Sequence, residues 1–258
     1  MKKILAIVLV LALALSLFAG CAKKSYRTVE EIKKSGKIVM MTNAQFEPYE
    51  YIAGGKIVGA DIELAQMVAD ALGVTLEIID MDFDGLVDAL SSGKGDFIAA
   101  GMTNTEERAK KVDFSIEYVR NGLLIVVPAD SDIKSPDDLA GLRIAVQEGT
   151  TSDTYVTDEI ADAEVMRYKD AITAGNTVSD GKADACVLDI KPAEGVVANS
   201  NGKLKLLPEL LTEESMSMAI CKGNSELVKI INEILQKAKD DGTVEALVQK
   251  HMDLTTGG

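Results

Sequence analysis

The chain has 258 residues, with 27 Lys and Arg against 41 Asp and Glu, a net charge of −14 and a single histidine. A balance this acidic disfavours nucleic-acid binding, which draws its affinity from neutralised phosphates. His251 stands apart from the three scattered cysteines, Cys21, Cys186 and Cys221, so no Cys/His cluster offers zinc a site.

Residues 1–20 have the form of a secretory signal: Lys2 and Lys3, the apolar run Ile4–Phe18, then Ala19-Gly20. The run is too short and too abruptly ended for a comfortable membrane span, and no later apolar stretch is long enough. A cysteine straight after Ala-Gly resembles the lipobox of bacterial lipoproteins, in which Cys21 receives lipid and becomes the mature N-terminus. Phe18 departs from the Leu, Val or Ile usual at its position. Loss of residues 1–20 removes two lysines and no acid, taking the net charge to −16. The remaining 238 residues suffice for one large domain or two small ones.

Residues 21–27 are polar and read as a tether. Thr28 and Glu31 are spaced as a capping box opening a short helix to about Ser35. Lys37–Thr42 predicts the first strand. Pro48 keeps residues 43–51 out of a helix and leaves Phe46 on a loop, as core filler or as the apolar wall of a pocket. Apolar residues at 62, 64, 65, 68, 69 and 72, stopped by Gly73, predict a helix packed on a sheet. Val74–Ile79 alternates as a strand, Phe83–Leu90 returns to helical spacing, and Asp96–Ala100 is a strand again. This rhythm predicts an α/β sheet with right-handed crossovers.

The strand at 96–100 runs into Gly101-Met-Thr-Asn-Thr-Glu-Glu-Arg108. Ala99, Ala100 and Gly101 leave room for close approach to the backbone. Thr103 and Thr105 are helix-capping types, and Arg108 offers a planar fork that matches a carboxylate. A surface arginine paired with Glu106, Glu107 or Asp113 is the plainer alternative.

Gly122–Val127 is long enough to leave one sheet and enter another. Beyond it the sequence predicts a capped turn at Ser135–Gly141, a strand at Arg143–Val146 and a second glycine-then-hydroxyl helix start at Gly149–Asp153, where the N–H groups of Thr150 and Thr151 suit an anion. Then follow a helix near Asp170–Ser179, strand Asp184–Leu188, helix Lys191–Ala198, strand Lys203–Leu207, a last strand Met216–Cys221, and amphipathic helices Ser225–Lys239 and Thr243–His251. Cys186 and Cys221 lie in apolar runs and read as buried free thiols.

One segment echoes another. Residues 88–97, DALSSGKGDF, match residues 176–185, NTVSDGKADA: a helix, a Gly-Lys turn, then an Asp opening an apolar strand. Two lobes are the consequence. A cation at Arg108 and an anion at Asp189 then occupy equivalent carboxyl ends of strands, where open α/β sheets bind ligands. A zwitterion would satisfy both charges. Asp189 also suits a helix cap before Ile190-Lys-Pro192.

Gly59-Ala-Asp-Ile-Glu-Leu-Ala65, Asp82-Phe-Asp-Gly-Leu-Val-Asp-Ala-Leu90, Gly101 to Arg108, Val112-Asp-Phe-Ser115 and Glu148-Gly-Thr-Thr151 together resemble the signature segments of polar-amino-acid-binding proteins of ABC importers. The resemblance covers nearly the whole mature chain. It implies a two-lobed periplasmic-binding-protein-like fold (type II) with two crossing hinge strands, lobe I at 28–120 plus 216–258 and lobe II at 121–215, closing on one free L-amino acid without a cofactor or metal. By the resemblance, Arg108 and Thr103 hold the α-carboxylate with help from the backbone at Thr151. Asp189 and the Gly101 carbonyl take the α-ammonium, and Phe46 and Phe83 sandwich the side chain. Ala100 replaces a hydroxyl found in some relatives. Asn43 replaces an acid found in several basic-amino-acid binders, and Gln147 is a second amide at the pocket edge. Two amides favour a neutral polar side chain such as glutamine, while Glu148 leaves a basic one open. The implied partners are an ABC permease and ATPase, for a monomer lipid-anchored outside the cytoplasm. The competing readings are a signalling module that presents its closed form to a receptor and a carboxylate dehydratase. The latter needs a tuned acid or base, for which Glu47 and Glu148 are the acids that sequence places near the cleft.

Overall fold

Thr28 opens the fold with the predicted capping box, its hydroxyl accepting from Glu31 N–H and the Glu31 carboxylate accepting in return. The structure is a computed structural model that describes residues 26–255. The signal segment 1–20, Cys21 and most of the tether lie outside the described residues. The last two tether residues are docked: the Tyr26 hydroxyl donates to Gly223 O at 3.0 Å and Arg27 pairs with Asp96.

The first half runs α1 (Val29–Ser35), β1 (Lys37–Thr42), β2 (Gln45–Phe46), β3 (Glu50–Ala53), β4 (Lys56–Val58), α2 (Ala60–Leu72), β5 (Thr75–Asp80), a 3₁₀ turn (Phe83–Gly85), α3 (Leu86–Ser91), β6 (Phe97–Ile98), α4 (Glu106–Lys111) and β7 (Val112–Phe114). β2, β3 and β4 form a small antiparallel sheet, so Phe46 sits in a strand where a loop was predicted. β6 keeps only the middle of the predicted Asp96–Ala100.

The chain then crosses through β8 (Val119–Asn121) into β9 (Leu123–Pro128), a 3₁₀ turn (Pro136–Leu139), β10 (Arg143–Gln147), α5 (Thr151–Glu159), β11 (Glu164–Tyr168), α6 (Ala171–Ser179), β12 (Ala185–Asp189), α7 (Ile190–Ala198) and β13 (Leu204–Leu206). It returns through β14 (Glu214–Met216) to β15 (Ala219–Cys221) and ends in α8 (Ser225–Asp240) and α9 (Thr243–Thr255). The transit expected of Gly122–Val127 is made one step earlier by β8, which pairs antiparallel with β14. The predicted single strand Met216–Cys221 is two strands in different sheets. Alternation could not reveal the break, because Met216, Ser217, Met218, Ala219, Ile220 and Cys221 are all fully buried.

The first sheet has order β5-β1-β6-β15-β7 and the second β11-β10-β12-β9-β13. Each begins with three parallel strands, the first in sequence at the centre, followed by an antiparallel neighbour. Side chains alternate between faces. Met40 and Phe97 in one sheet and Ala145 and Cys186 in the other join one continuous apolar cluster, while Met41 and Ile98, and Ile144 and Val187, fill separate cores beneath the opposite faces. Cys186 and Cys221 are buried free thiols, and burial pushes Cys221 up to about 11. Among the described residues no helix is long and apolar enough to cross a membrane.

Candidate functional site

In each sheet the next two parallel strands in sequence lie on opposite sides of the central one, and ligands bind outside the carboxyl ends at such a switch point. The ends in question are those of β1 and β6 in one lobe and β10 and β12 in the other. Asn43 follows β1, Gly101 lies just beyond β6, Gln147 ends β10 and Asp189 ends β12.

Gly101 has φ +54, and a Cβ there would meet the Phe46 ring at 2.5 Å. Glycine takes that conformation without strain, and only a residue without a side chain permits that approach. Its N–H donates to Asp61 Oδ2 at 2.9 Å. The buried Asp61 also accepts from the Tyr118 hydroxyl at 2.7 Å, and desolvation pushes its carboxyl up to about 6 against these bonds.

Of the two predicted caps, Thr105 serves α4, its hydroxyl accepting from Arg108 N–H at 3.3 Å. Thr103 instead forms a bridge with Met216. Arg108 spans the lobes: Nη1 donates to Thr103 O at 2.7 Å and Nη2 to Gly149 O at 3.0 Å. Its guanidinium lies 5.3 Å from the centroid of the Phe83 ring. Desolvation lowers its pKa, while the charges of Asp189 and Glu214 support the cation. Asp113, one of the partners of the plainer reading, pairs with Lys222 at 3.0 Å.

Asp189 precedes α7 but its side chain makes no capping bond; instead the Asn121 amide of crossing strand β8 donates to it. Burial pushes this carboxyl up to about 7, with Asn121 and the Arg108 charge acting the other way and the Glu214 charge adding to the rise. Arg108 and Asp189 feel each other's field from opposite lobes without forming a direct ion pair.

The two amides serve each other. Gln147 Nε2 donates to Asn43 Oδ1 at 3.0 Å and to Lys169 O at 3.1 Å, and Asn43 Nδ2 donates to Met81 O at 3.0 Å. Glu148 is engaged as well: Lys169 Nζ sits 2.9 Å from it and 3.3 and 3.4 Å from Asp82 and Asp84 across the cleft. Phe46 is buried against Tyr49, with ring centroids 5.8 Å apart, in a different apolar cluster from Phe83. Thr150 N–H, expected to face an anion, donates at 3.4 Å to Gln147 O in its own loop. Glu47, half-buried, borders a small cavity with Ala171 and Met252.

Three polar residues escaped the sequence reading. Asn121 orients Asp189. Glu50 is fully buried with no hydrogen-bond partner on either oxygen, and burial together with the charges of Asp61, Asp189 and Asp80 holds its carboxyl well above the usual range. Glu214, in crossing strand β14, accepts from the hydroxyls of Thr103 and Thr151, both at 2.8 Å. Thr103, Asn121, Thr151, Thr212 and Glu214 border a cavity of about 890 Å³. Phe83, Arg108, Gly149 and Thr151 border another of about 240 Å³.

Two sheets of like plan joined by the crossing strands β8 and β14 give the architecture of a two-lobed solute-binding protein. Residues 38–253 match the bacterial extracellular solute-binding proteins, family 3, and the chain belongs to that family. It is 35% identical to the arginine-binding extracellular protein ArtP of Bacillus subtilis over 247 residues, 94% of this chain and 96% of the relative. The holo form of ArgBP from T. maritima superposes with a TM-score of 0.76 at 40% identity, covering 84% of this chain and 98% of that one. An ancestral arginine-binding protein bound to glutamine gives 0.78 at 41% identity, with coverages of 83% and 97%.

Proposed function

We propose that the protein captures a free L-amino acid between lobe I (28–120 plus 216–258) and lobe II (121–215) and delivers it to an ABC permease and ATPase. It acts as a monomer lipid-anchored through Cys21 outside the cytoplasm, without catalysis of its own. The observation that carries the reading is the half-buried Arg108 and the buried Asp189, opposite charges on opposite lobes that lie in each other's field without a direct bond. A zwitterion inserted between them gives each a charge-assisted partner and strands neither in a low-dielectric cleft. In this reading Arg108 and Thr103 take the α-carboxylate beside the backbone at Thr151. Asp189 takes the α-ammonium with the Gly101 carbonyl, and Phe46 and Phe83 flank the side chain.

For the side chain we favour an uncharged amide such as glutamine's. Near Asn43 and Gln147 the acid Glu148 is already engaged by Lys169, which also reaches Asp82 and Asp84, so the groups best placed to meet the end of a ligand side chain are the two amides. The amides still have hydrogen-bonding capacity of both kinds. A cationic ligand is the second reading, supported by the similarity to arginine-binding relatives. A thermal-shift screen of the common amino acids tests both. A ligand at a hundredfold its Kd adds about 2.7 kcal/mol, a rise of about 5–10 °C for a chain of this size. Glutamine is expected to give the larger rise. A larger response to arginine overturns the amide preference, and a flat response to every amino acid overturns the function.

A further inference from the structure

Three hydroxyls converge on Glu214. Thr103 Oγ1 from the first lobe and Thr151 Oγ1 from the second both donate to Oε2, each at 2.8 Å. Thr212 Oγ1 donates to Oε1 at 2.8 Å, and its oxygen is steadied by Leu123 N–H at 3.2 Å. One carboxylate in a crossing strand therefore ties the lobes together at the position where the resemblance puts a ligand carboxylate.

A hydroxyl has one proton to donate. Neither Thr103 nor Thr151 can give it to Glu214 and to a ligand at the same time. Charge sharpens the conflict, since Asp189 is close enough to feel Glu214 and a third carboxylate would enter an already anionic field. Arg108 is not spent in the same way: two of its five N–H donors are used on backbone carbonyls, leaving three for an incoming anion.

We propose that Glu214 is an internal competitor for the ligand carboxylate, bridging Thr103 and Thr151 across the cleft and yielding them to an amino acid by withdrawing onto Thr212. The proposal rests on the amino-acid-binding reading above. It makes Glu214 a residue that sets affinity without holding ligand. The receptor is competent only in the fraction of molecules with Glu214 withdrawn, so the apparent Kd is the intrinsic Kd divided by that fraction. Removing the acid must tighten binding, the opposite sign from every residue that touches the ligand.

Titration calorimetry with L-glutamine and L-arginine as probes, on wild type, Glu214→Ala and Glu214→Gln, reads that sign directly. Glu214→Ala is expected to bind the responding probe about tenfold more tightly. Glu214→Gln, a neutral acceptor making weaker bonds, is expected to fall between. In a Thr103→Val background the gain from Glu214→Ala should shrink, because the contested hydroxyl is gone; a purely structural role for Glu214 would leave it unchanged. Small-angle scattering without amino acid should show a larger radius of gyration for Glu214→Ala, since the bridge between lobes is lost. Equal or weaker binding by both variants overturns the proposal, and abolished binding makes Glu214 a ligand contact instead. If Glu214→Ala does not fold, the sign from Glu214→Gln decides. If no amino acid binds wild type or either variant, the amino-acid reading fails by itself and scattering alone judges the bridge.

Discussion

The two lobes share a plan down to a single carboxylate. In the first, Asp96 just before β6 accepts the Val39 N–H of β1 at 2.7 Å; in the second, Asp184 just before β12 accepts the Arg143 N–H of β10 at 2.9 Å. Each acid satisfies a backbone donor of the central strand and each is paired with an arginine. The arginines come from different places. Asp184 uses the side chain of Arg143 itself, whereas Asp96 uses Arg27, from the segment ahead of the first helix, which is thereby fastened to its lobe. Asp96 is also far more enclosed, its side chain 1% exposed against 33% for Asp184. At the other end of the same strands the lobes diverge in sign, with Arg108 beyond β6 and Asp189 closing β12. Shared scaffolding with opposite cargo suits a ligand carrying both charges on one carbon.

The sharpest break in this comparison comes from removing one charge. Arg108→Ala or Asp189→Ala should cost about 3–4 kcal/mol of binding, two to three decades in Kd by calorimetry. A normal response from either variant would remove that residue from the site. Next, Asp96→Ala leaves both Arg27 and a buried N–H unpaired and should cost about 3 kcal/mol. Asp184→Ala, at a more solvated pair, should cost at most about 1 kcal/mol. Urea midpoints at constant m separate the two, and equal losses would deny the asymmetry between the lobes.

A smaller effect follows from pH. In the proposed site Asp189, pushed up to about 7, could take an ammonium only when ionised, so affinity should fall toward tenfold per unit as pH drops below 7. Stability without amino acid should move the other way. A carboxyl raised in the folded state holds its proton more tightly there than in the unfolded chain, so its contribution is complete below about pH 4 and is lost as pH rises through 7. Asp61, pushed up to about 6, adds to the same trend. Melts and titrations across pH 5–8 test both signs, and Asp189→Asn should remove its share of each. The smallest effect is expected at Lys169, which links Glu148 to Asp82 and Asp84 in a solvated setting. Lys169→Ala should change affinity by less than about threefold, and less still in high salt.

What the sequence determined alone is local. The Thr28 capping box, the Gly73 stop, the echoed Gly-Lys turns at 93 and 181, and the strand ends carrying Arg108 and Asp189 are set within about ten residues. Over that range side-chain periodicity and φ preference speak directly. Only the tertiary structure decided that Met216–Cys221 splits between sheets, since uniform burial leaves no alternation to read. It also brought Asn43 to Gln147, Asn121 to Asp189, and Thr103 to Glu214 across 104, 68 and 111 residues. Each of these contacts joins one lobe, or a crossing strand, to another part of the fold. A single acid or amide before an apolar run carries no periodic signal, and its partner is chosen only when the folded lobes face each other.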